Sequence, residues 1–385
     1  MNIFLFHTNA DYLLGLRLPL MRALVQRGCR VSAWAPGLSQ AHADELRGSD
    51  IDAASYAIDA TGLNPLRDGI NFFRIWWLLL RKRPDVVLSN NAKPVIWVTL
   101  AAALAGIGRR YCLVGGLGYA FTPEPGAASF RRRLVKFVMG RLYKAAFRAA
   151  TAVIFQNTDD RDELVAAGIC PAAKAHVVSG SGVEVAHYRP AAAQPVSPVF
   201  VMVGRLVADK GVREYLQAAR MVKQQQPDAR FLLVGQIDPN PTSLRADELA
   251  AFVDAGIVEW PGAVRDVRPW LTQANVFVLP SYREGVPRST LEAMACGLAV
   301  VTTDAPGCRE TVDAGRNGFL VPVRDVDSLA DAMLTLARNP EQRAAMGRSS
   351  REYAERRFDT RIVNDDMARI MGLTPADAGS MEVLA

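Results

Sequence analysis

The sequence lacks the cysteine and histidine patterns of disulfide-stapled or zinc-binding proteins. Its five cysteines are scattered and odd in number, and no CxxC pair occurs among them. Its four histidines show no paired spacing, so we assign no role to any of them. We therefore expect small, buried thiols in a reducing compartment. No acidic metal-binding motif is present either, and we expect no metal.

A long hydrophobic run is also missing. Half of the chain is hydrophobic and 22% is charged, which is the profile of a soluble globular protein. No apolar stretch approaches the roughly 20 residues that a transmembrane helix needs. Residues 1–6 enter a predicted strand directly, so we expect no signal peptide and a cytoplasmic location.

Positive charge is concentrated in one stretch of the chain, although the net charge is only +6. Residues 131–148 have seven cations interleaved with apolar residues at helical spacing: Arg131, Arg132, Arg133, Lys136, Arg141, Lys144 and Arg148. Two interpretations stay open: this basic amphipathic helix docks on an anionic membrane surface, or its apolar stripe faces the core. No nucleic-acid recognition motif accompanies the charge, so we expect no nucleic-acid partner. The apolar run 72–80 also has two interpretations, contact with a membrane or a helix packed on the first sheet, and we favour the second.

Short β-branched runs alternate with longer helical patterns along the chain. Predicted strands are 3–7, 31–35, 86–88, 111–114 and 153–155, then 199–203, 231–234, 276–279 and 300–303. Predicted helices include 18–26, 70–81, 95–105, 212–225, 289–295 and 326–338. This alternation, with continuous apolar strands, predicts an α/β protein with buried parallel sheets.

A segment with three prolines and three alanines, residues 189–198, interrupts the alternation and predicts a linker over 191–198. The sequence therefore predicts two doubly wound, Rossmann-like domains, 1–190 and 199–358. Two such domains would face each other across a cleft, since ligands bind at the carboxyl ends of the strands. The tail, 359–385, keeps a helical pattern and is predicted to cross back onto the first domain.

Residues 284–292, with the sequence EGVPRSTLE, are the most informative segment. Glu284 and Glu292 are eight positions apart, with a Gly-x-Pro turn after the first and a predicted helix start before the second. The turn and the helix start present backbone N–H groups and a partial positive charge, which favour a diphosphate. The two carboxylates are then left to bind hydroxyl groups. The segment therefore predicts a nucleotide-sugar site.

Two cations stand at a second predicted strand end. Arg205 follows the strand 199–203, and Lys210 lies just before a helix. Positive charge at a ligand-binding edge suits a leaving diphosphate, whose negative charge grows as its bond to the sugar breaks. We predict that both residues belong to the same site as Glu284.

Arg205, Lys210, Glu284 and Glu292 together resemble the retaining glycosyltransferases of family four, which have the GT-B fold. The segments EAMACG, TTD and NGFLV at 292–297, 302–304 and 317–321 carry the same resemblance. It implies that Arg205 and Lys210 bind the donor diphosphate, that Glu292 holds the ribose hydroxyls, and that Glu284 contacts the donor sugar near the reacting centre. The resemblance also assigns donor contacts to the turn residues Gly285, Val286, Pro287, Arg288 and Ser289, and places the nucleobase along 262–264, beside Val264.

The resemblance makes the first half the acceptor-binding half. The segments SNNAK at 89–93 and GGLGYAF at 115–121 each follow a predicted strand. We expect acceptor contacts there and on the first helix, from Arg17, Asn91, Lys93, Gly118 and Tyr119. Arg17 either contacts an acceptor pyrophosphate or pairs with a carboxylate. Many relatives have a His that contacts the donor sugar where this chain has Gly115, which leaves part of the sugar contact unassigned.

These departures, with GLG at 116–118 and GCRE at 307–310, are similar to a subgroup that extends undecaprenyl-diphosphate-linked sugars. That subgroup includes the N-acetylgalactosaminyltransferase of bacterial N-glycosylation and O-antigen and capsule enzymes. The resemblance implies retaining, metal-independent transfer of an N-acetylhexosamine from a UDP-sugar to a lipid-linked saccharide. The enzyme would lie on the inner face of the cytoplasmic membrane. The alternatives are a UDP-sugar 2-epimerase of the same fold and a non-catalytic partner that binds nucleotide-sugar or lipid.

Overall fold

A computed structural model describes residues 1–58, 65–117, 121, 130–193, 195–238 and 242–373. The chain forms two compact units, one from Met1–Ser181 together with the residues from Thr360 onward, and one from Gly182–Asp359. The first unit therefore ends nine residues before the predicted boundary at 190. The reason is apolar packing: Val183 and Val185 are buried in a core cluster with Val286 and Leu291 of the second unit.

The first unit is built on a parallel sheet. Within the described residues the sheet has seven strands, in the order β3-β2-β1-β4-β5-β6-β7. They are β1 (Asn2–Phe6), β2 (Arg30–Trp34), β3 (Ile51–Ala54), β4 (Val86–Asn90), β5 (Arg109–Val114), β6 (Ala152–Phe155) and β7 (Ala175–Val177). The helices between them are α1 (Ala10–Gln26), α2 (Gln40–Arg47), α3 (Pro65–Lys82), α4 (Ala92–Leu104), α5 (Phe130–Ala149) and α6 (Thr158–Ala166).

Helices cover both faces of this sheet because its strands are apolar on both sides. Successive side chains of a strand point to opposite faces. On β1, Ile3 and Leu5 belong to the core cluster that includes α1, whereas Phe4 and Phe6 belong to the cluster that includes α3. The helices α3, α4 and α5 pack side by side on that second face.

The second unit repeats the arrangement. Its described strands form a six-stranded parallel sheet in the order β10-β9-β8-β11-β12-β13. They are β8 (Val199–Val203), β9 (Arg230–Val234), β10 (Glu259–Gly262), β11 (Val276–Leu279), β12 (Ala299–Thr303) and β13 (Gly318–Val321). Its helices are α7 (Val212–Gln225), α8 (Ala246–Asp254), α9 (Arg268–Leu271), α10 (Arg288–Ala295), α11 (Val326–Arg338) and α12 (Pro340–Tyr353).

The strand order of the second sheet reverses direction at its centre. From β8 the chain continues to β9 on one side, whereas β11 and β12 lie on the other side of β8. The connections that leave the carboxyl ends of β8 and β11 therefore lead to opposite sides of the sheet's centre. We call the region at these two strand ends the crevice. This switch point is where open α/β sheets bind ligands.

A thirteenth helix, α13 (Thr360–Ile370), returns to the first unit. It packs against α1, and its Val363 and Met367 are buried in the same cluster as Leu13 and Leu24. The Tyr111 hydroxyl donates a hydrogen bond to the carbonyl oxygen of Met371 at 3.0 Å, just after the helix. The predicted return of the tail to the first half is confirmed.

All five cysteines lie within the described residues, where they are buried with free thiols. No helix of the described part of the chain is both long and apolar enough to cross a bilayer.

Candidate active site

The crevice of the second unit collects the residues that the sequence singled out. Arg205 and Lys210 lie in the loop that follows β8, and Glu284 lies in the loop that follows β11. Because β8 and β11 are hydrogen-bonded neighbours, the two loops leave the same edge of the sheet side by side. The two cations and Glu284, which the sequence predicts to share one site, thus lie on two adjacent loops.

Lys210 and Glu284 form an ion pair across the crevice. The Lys210 ammonium donates to a carboxylate oxygen of Glu284, and both side chains are mostly buried, with 21% and 14% of their surface exposed. The Ser281 hydroxyl donates to the same oxygen at 2.6 Å. Because both charges are largely shielded from water, the pair is stronger than a surface ion pair. An ammonium group and a carboxylate are thereby held in contact at the switch point of the second sheet.

The backbone around Glu284 is fixed by the loop after β12. The Glu284 N–H donates to the carbonyl oxygen of Pro306 at 3.0 Å. Gly307 has a left-handed φ of +75°, and a Cβ there would lie 2.3 Å from the carbonyl oxygens of both Glu284 and Gly285. Only glycine allows this approach. The position of Glu284 therefore depends on three neighbouring strands.

Lys210 is positioned by a similar close contact. Gly211, which begins α7, has a φ of +69°, and a Cβ there would lie 2.1 Å from the carbonyl oxygen of Pro280. The Tyr282 N–H donates to the carbonyl oxygen of Asp209 at 2.9 Å. The loops after β8 and β11 are thus joined directly beside the ion pair.

Arg205 lies nearer to the end of β8 than Lys210 does, in the same loop. Its guanidinium pairs with Asp238 at 3.2 Å, and about half of its side chain, 48%, is exposed. It lines a cavity of about 210 Å³ together with Gly204, Gly235, Ala263 and Val264. Pockets that take a whole drug-sized ligand measure about 300–1,000 Å³, so this cavity accepts part of a ligand. A mainly apolar slot with a guanidinium at its rim suits a planar base, and the nucleobase position at Val264 stays a prediction.

The turn from Gly285 to Ser289 leads into α10 and leaves its first N–H groups available. Pro287 is the N-cap residue, and it makes no side-chain capping bond. The free N–H groups of a helix start attract an anion. Val286 is buried in the core at 7% exposure, so its side chain serves packing. The donor contacts that the resemblance gives to this turn are contacts of its backbone amides, and they stay a prediction.

Glu292 is held by two partners on the inner side of α10. The Tyr188 hydroxyl donates to its Oε1 at 2.8 Å, and Arg288 donates from Nε to the same oxygen at 3.0 Å. Burial, followed by the charge of Glu292, raises the pKa of Tyr188, so the phenol keeps its proton. Arg288 therefore orients Glu292 in this structure. Tyr188 was not predicted, because no spacing in the sequence links it to residue 292.

In the first unit, Arg17 and Asn91 come together around His7, a residue to which we assigned no role from the sequence. His7 follows β1, and burial together with the charge of Arg17 lowers its pKa to about 3. Its Nδ1 accepts a hydrogen bond from the Asn9 N–H at 3.1 Å. The Asn91 amide donates to Thr8 at 3.0 Å and lies 3.4 Å from His7 Nε2.

Asn91 also has an unusual backbone. Its φ of 72° and ψ of 162° fall in a region that is essentially restricted to glycine. Such strain costs about 1–3 kcal/mol and persists where the surrounding structure imposes it, often at ligand sites. Asn91, a predicted acceptor residue, therefore has the kind of strained backbone that is common at ligand sites.

Lys93, for which an acceptor contact stays a prediction, has a partner within the first unit. Its ammonium donates to Asp68 at 3.0 Å, and both side chains are nearly buried. An ion pair of this kind neutralises the lysine and ties α4 to α3. Gly118 and Tyr119, the other predicted acceptor residues, lie outside the described residues.

Gly115 faces a cluster of amide side chains. A Cβ at this position would lie 3.5 Å from Asn91 Oδ1, 3.6 Å from Gln156 Oε1 and 4.0 Å from Asn90 Oδ1. Asn90 is fully buried, and neither polar atom of its side chain has a hydrogen-bond partner in the described structure. An unsatisfied buried amide costs about 1–3 kcal/mol. The space beside Gly115 is therefore lined by uncharged amide groups.

No cluster of three or more His, Cys, Asp or Glu side chains that could hold a metal ion occurs in the described ranges. The prediction of metal independence stays a prediction.

Two protein-family models match the chain, one in each half. Residues 18–181 match the model described as Glycosyltransferase Family 4, and residues 197–339 match the model described as Glycosyl transferases group 1. These ranges correspond closely to the two structural units.

Curated relatives include two bacterial enzymes. The chain is 29% identical to the N,N'-diacetylbacillosaminyl-diphospho-undecaprenol alpha-1,3-N-acetylgalactosaminyltransferase of Campylobacter jejuni, over 94% of this chain and 95% of that protein. It is 27% identical to the UDP-Gal:alpha-D-GlcNAc-diphosphoundecaprenol alpha-1,3-galactosyltransferase of Escherichia coli, over 70% of each chain.

Solved structures share the fold. Anabaena HepE, determined in complex with UDP and glucose, matches with a TM-score of 0.74 at 19% identity, over 97% of this chain and 100% of that chain. The sucrose-phosphate synthase of Thermosynechococcus elongatus matches with a TM-score of 0.77 at 20% identity, over 96% and 98%. The predicted GT-B architecture is confirmed. With both halves matched by glycosyltransferase models and the crevice built as described, the chain belongs to the family 4 glycosyltransferases and is a hexosyltransferase.

Proposed function

We propose that this enzyme transfers an N-acetylhexosamine from a UDP-sugar to an undecaprenyl-diphosphate-linked saccharide, with retention of anomeric configuration. The observation that carries the proposal is the pairing of Lys210 with Glu284 at the switch point of the second unit, beside the slot lined by Arg205 and Val264. Together these features supply a base slot, cations for a diphosphate and a carboxylate for a sugar.

The acceptor and the donor are proposed from the relatives. The Campylobacter jejuni enzyme is an N-acetylgalactosaminyltransferase that acts on a diphospho-undecaprenol sugar, and the Escherichia coli enzyme uses UDP-Gal with a similar lipid carrier. Anabaena HepE binds UDP. These proteins support a UDP-sugar donor and a lipid-linked acceptor for this chain, and synthesis of a surface polysaccharide or glycoprotein glycan as the process.

In the proposed mechanism, Arg205, Lys210 and the start of α10 stabilise the charge that develops on the leaving diphosphate. Preorganised cations and N–H groups of this kind are worth several kcal/mol in the transition state. Glu284 contacts the sugar as it acquires positive charge, and Glu292 binds the ribose hydroxyls. The departing diphosphate accepts the acceptor proton on the same face. No metal is needed for the charge stabilisation in this scheme.

The test is a screen of UDP-sugars against defined undecaprenyl-diphosphate saccharides, read by mass spectrometry, with the anomeric configuration of the product read by NMR. We expect one UDP-sugar to give a product one sugar longer, with UDP released. Isomerisation of the UDP-sugar without acceptor would identify a 2-epimerase, and binding without turnover would identify a non-catalytic partner. Either result would overturn the proposal.

Glu284→Gln provides the residue-level test. We expect transfer to fall by about a hundredfold or more while the protein stays folded, because removal of one preorganised group at the reacting centre has effects of this size. Glu259→Gln is the matched control, since Glu259 also pairs with a cationic side chain, that of Arg230, but at the amino end of β9 and β10. Near-normal turnover of Glu284→Gln would remove this carboxylate from the active site.

We also propose that α5 contacts the inner face of the cytoplasmic membrane. Arg133, Arg141 and Arg148 are exposed on it, as are the apolar Leu134 and Phe137. A basic, partly apolar helix surface is attracted to anionic lipid. Replacement of Arg133 and Arg141 by Gln should weaken binding to phosphatidylglycerol vesicles at low salt. Unchanged binding would contradict a membrane contact through α5.

A further inference from the structure

A row of large apolar side chains on α3 faces outward. Leu66, Ile70, Phe73 and Trp77 are 82%, 54%, 64% and 57% exposed. Their spacing of four, three and four residues places them on one side of a helix. We call these four residues the α3 stripe. The opposite side of α3 is buried in the core, so the stripe is not needed for packing the first sheet.

Such a stripe is unusual on a protein surface. Isolated exposed apolar residues are common, whereas a contiguous row that includes two aromatic rings marks an interaction surface. For the apolar run 72–80 the sequence favours a helix packed on the sheet over contact with a membrane. The structure confirms the helix and its buried side, with Ile75 and Leu79 in the core, and adds an exposed apolar side.

Positive charge surrounds the stripe. The other exposed residues of α3 include Arg67, Arg74, Arg81 and Lys82. The Arg81 guanidinium lies 5.8 Å from the centre of the Trp77 ring. The sole acidic residue of α3 is Asp68, which is buried and paired with Lys93. The surface that a partner would meet is therefore apolar and cationic.

The stripe and α5 are on the same side of the first sheet. The helix α4 packs between α3 and α5, with Phe72 and Trp97 in edge contact at 6.0 Å. On α5, Phe137 is 64% exposed close to Arg133 and Arg141. Two helices on one face of this sheet therefore expose apolar and basic groups.

We propose that the α3 stripe inserts into the headgroup region of an anionic lipid bilayer. Trp and Phe side chains partition to the boundary between headgroups and acyl chains, and arginines beside them pair with lipid phosphates. A second copy of the chain fits less well, because a two-fold contact between two stripes would bring the arginines beside one stripe close to those beside the other. A bilayer offers apolar depth and negative charge together. The proposal extends the proposed function, which brings the enzyme to a lipid-linked acceptor.

The first test is binding to vesicles of phosphatidylglycerol and phosphatidylcholine, measured by flotation. The variants are Phe73→Gln with Trp77→Gln, and the matched pair Ile70→Gln and Ile362→Gln. Ile362 is 39% exposed on α13, which packs on the opposite face of the sheet. We expect the aromatic double variant to lose about tenfold or more in binding, Ile70→Gln to lose less, and Ile362→Gln to be unchanged. Equal losses for Ile70→Gln and Ile362→Gln, or no loss in the double variant, would overturn the proposal.

Salt separates the stripe from α5. Electrostatic attraction is screened within about 3 Å at 1 M salt, whereas apolar insertion is not weakened by salt. The binding that survives 1 M salt should therefore disappear in the double variant and persist in the Arg133→Gln and Arg141→Gln variant. The reverse pattern would assign the insertion to α5 and overturn the proposal.

Insertion can also be observed directly. Brominated lipids should quench the fluorescence of Trp77 when vesicles are added, and Trp77→Phe should bind normally while losing that quenching. Quenching that is undiminished in Trp77→Phe would overturn the proposal. So would a sedimentation experiment in which the double variant changes from a dimer to a monomer with unaltered vesicle binding.

The outcome is independent of the sugar chemistry. UDP binding in solution should be the same for the double variant and the wild type, because the stripe lies in the first unit and the donor residues lie in the second. Loss of vesicle binding with no transfer by the wild type would uphold the stripe and reject the proposed function. Transfer by the wild type with unchanged vesicle binding of the double variant would uphold the proposed function and reject membrane insertion of the stripe.

Discussion

The ammonium of Lys210 is paired with the carboxylate of Glu284, although 74 positions of sequence separate the two residues. The pair neutralises a cation and an anion that the proposed mechanism uses separately. A diphosphate that enters the crevice brings negative charge next to Lys210 and competes with Glu284 for it. Donor binding is therefore expected to free Glu284 to face the sugar.

Lys210→Met should weaken UDP binding by about ten- to hundredfold, because a hydrogen bond to a charged group contributes about 1.5–3 kcal/mol. Isothermal titration calorimetry measures the affinity. Lys223→Met is the control, since Lys223 lies on α7 and donates to the carbonyl oxygen of Ala229 at 2.8 Å, away from the crevice. An unchanged UDP affinity in Lys210→Met would contradict a diphosphate role.

Gly211→Ala should destabilise the protein more than Gly256→Ala does. Both glycines are left-handed, with φ of +69° and +64°, but a Cβ at 211 would meet Pro280 whereas a Cβ at 256 would meet nothing within 4 Å. The shared backbone strain costs about 1–2 kcal/mol, and the clash adds about 1–3 kcal/mol at 211. Thermal unfolding with and without UDP tests this. Similar melting temperatures for the two variants would show that the loops after β8 and β11 separate freely.

Gly115→Ala should leave stability unchanged or slightly raised and still impair transfer. The added methyl group would make ordinary van der Waals contacts with the amides of Asn91 and Gln156. Its cost in function would show that a substrate group occupies this space. Gly108→Ala is the control, since it lies before β5 at the opposite end and its Cβ would meet nothing within 4 Å. Steady-state kinetics with varied donor and varied acceptor measure the transfer activity of both variants. Full activity of Gly115→Ala would exclude substrate contact at this position.

His7 should make the first unit less stable as the pH falls. Burial and the charge of Arg17 lower its folded pKa to about 3 from an ordinary 6.5. Between these values the unfolded chain binds a proton at His7 that the folded chain does not. The stabilisation is therefore complete above pH 6.5 and is lost towards pH 3, at up to about 1.4 kcal/mol per pH unit.

Urea unfolding at a series of pH values, followed by circular dichroism, measures this slope. His7→Gln should have a shallower slope than the wild type, and His187→Gln, which alters an exposed histidine, should match the wild type. Parallel slopes for His7→Gln and the wild type would show that the imidazole is not held neutral by the fold.

The sequence predicts the central strands well because they are buried on both faces and read as continuous apolar runs. The strands β8 and β11 and the helices α7 and α11 have the predicted bounds. The edge strands β3 and β7 were not predicted. They have four and three residues, and their side chains are largely half-buried or exposed, so they carry no apolar run. Short edge strands are defined by hydrogen bonds to a neighbour, which a single sequence does not display.

The same distinction holds for the candidate site. The spacing of Glu284 and Glu292 around a turn and a helix start is local, so the sequence reveals it. The Lys210–Glu284 pair, the Tyr188 hydroxyl on Glu292 and the Lys93–Asp68 pair join distant positions. They depend on strand order, which local patterns do not determine. His7 shows the same limit, since its neutral state arises from burial beside Arg17.

The return of α13 to the first unit means that this unit is assembled from both ends of its own sequence, with the second unit inserted between them. During synthesis, residues 182–359 can complete a core of their own while the apolar side of α1 still awaits Val363 and Met367. The second unit can therefore fold before the first is finished. A chain that stops before residue 360 would expose that side of α1, and we expect it to aggregate although its donor residues are intact.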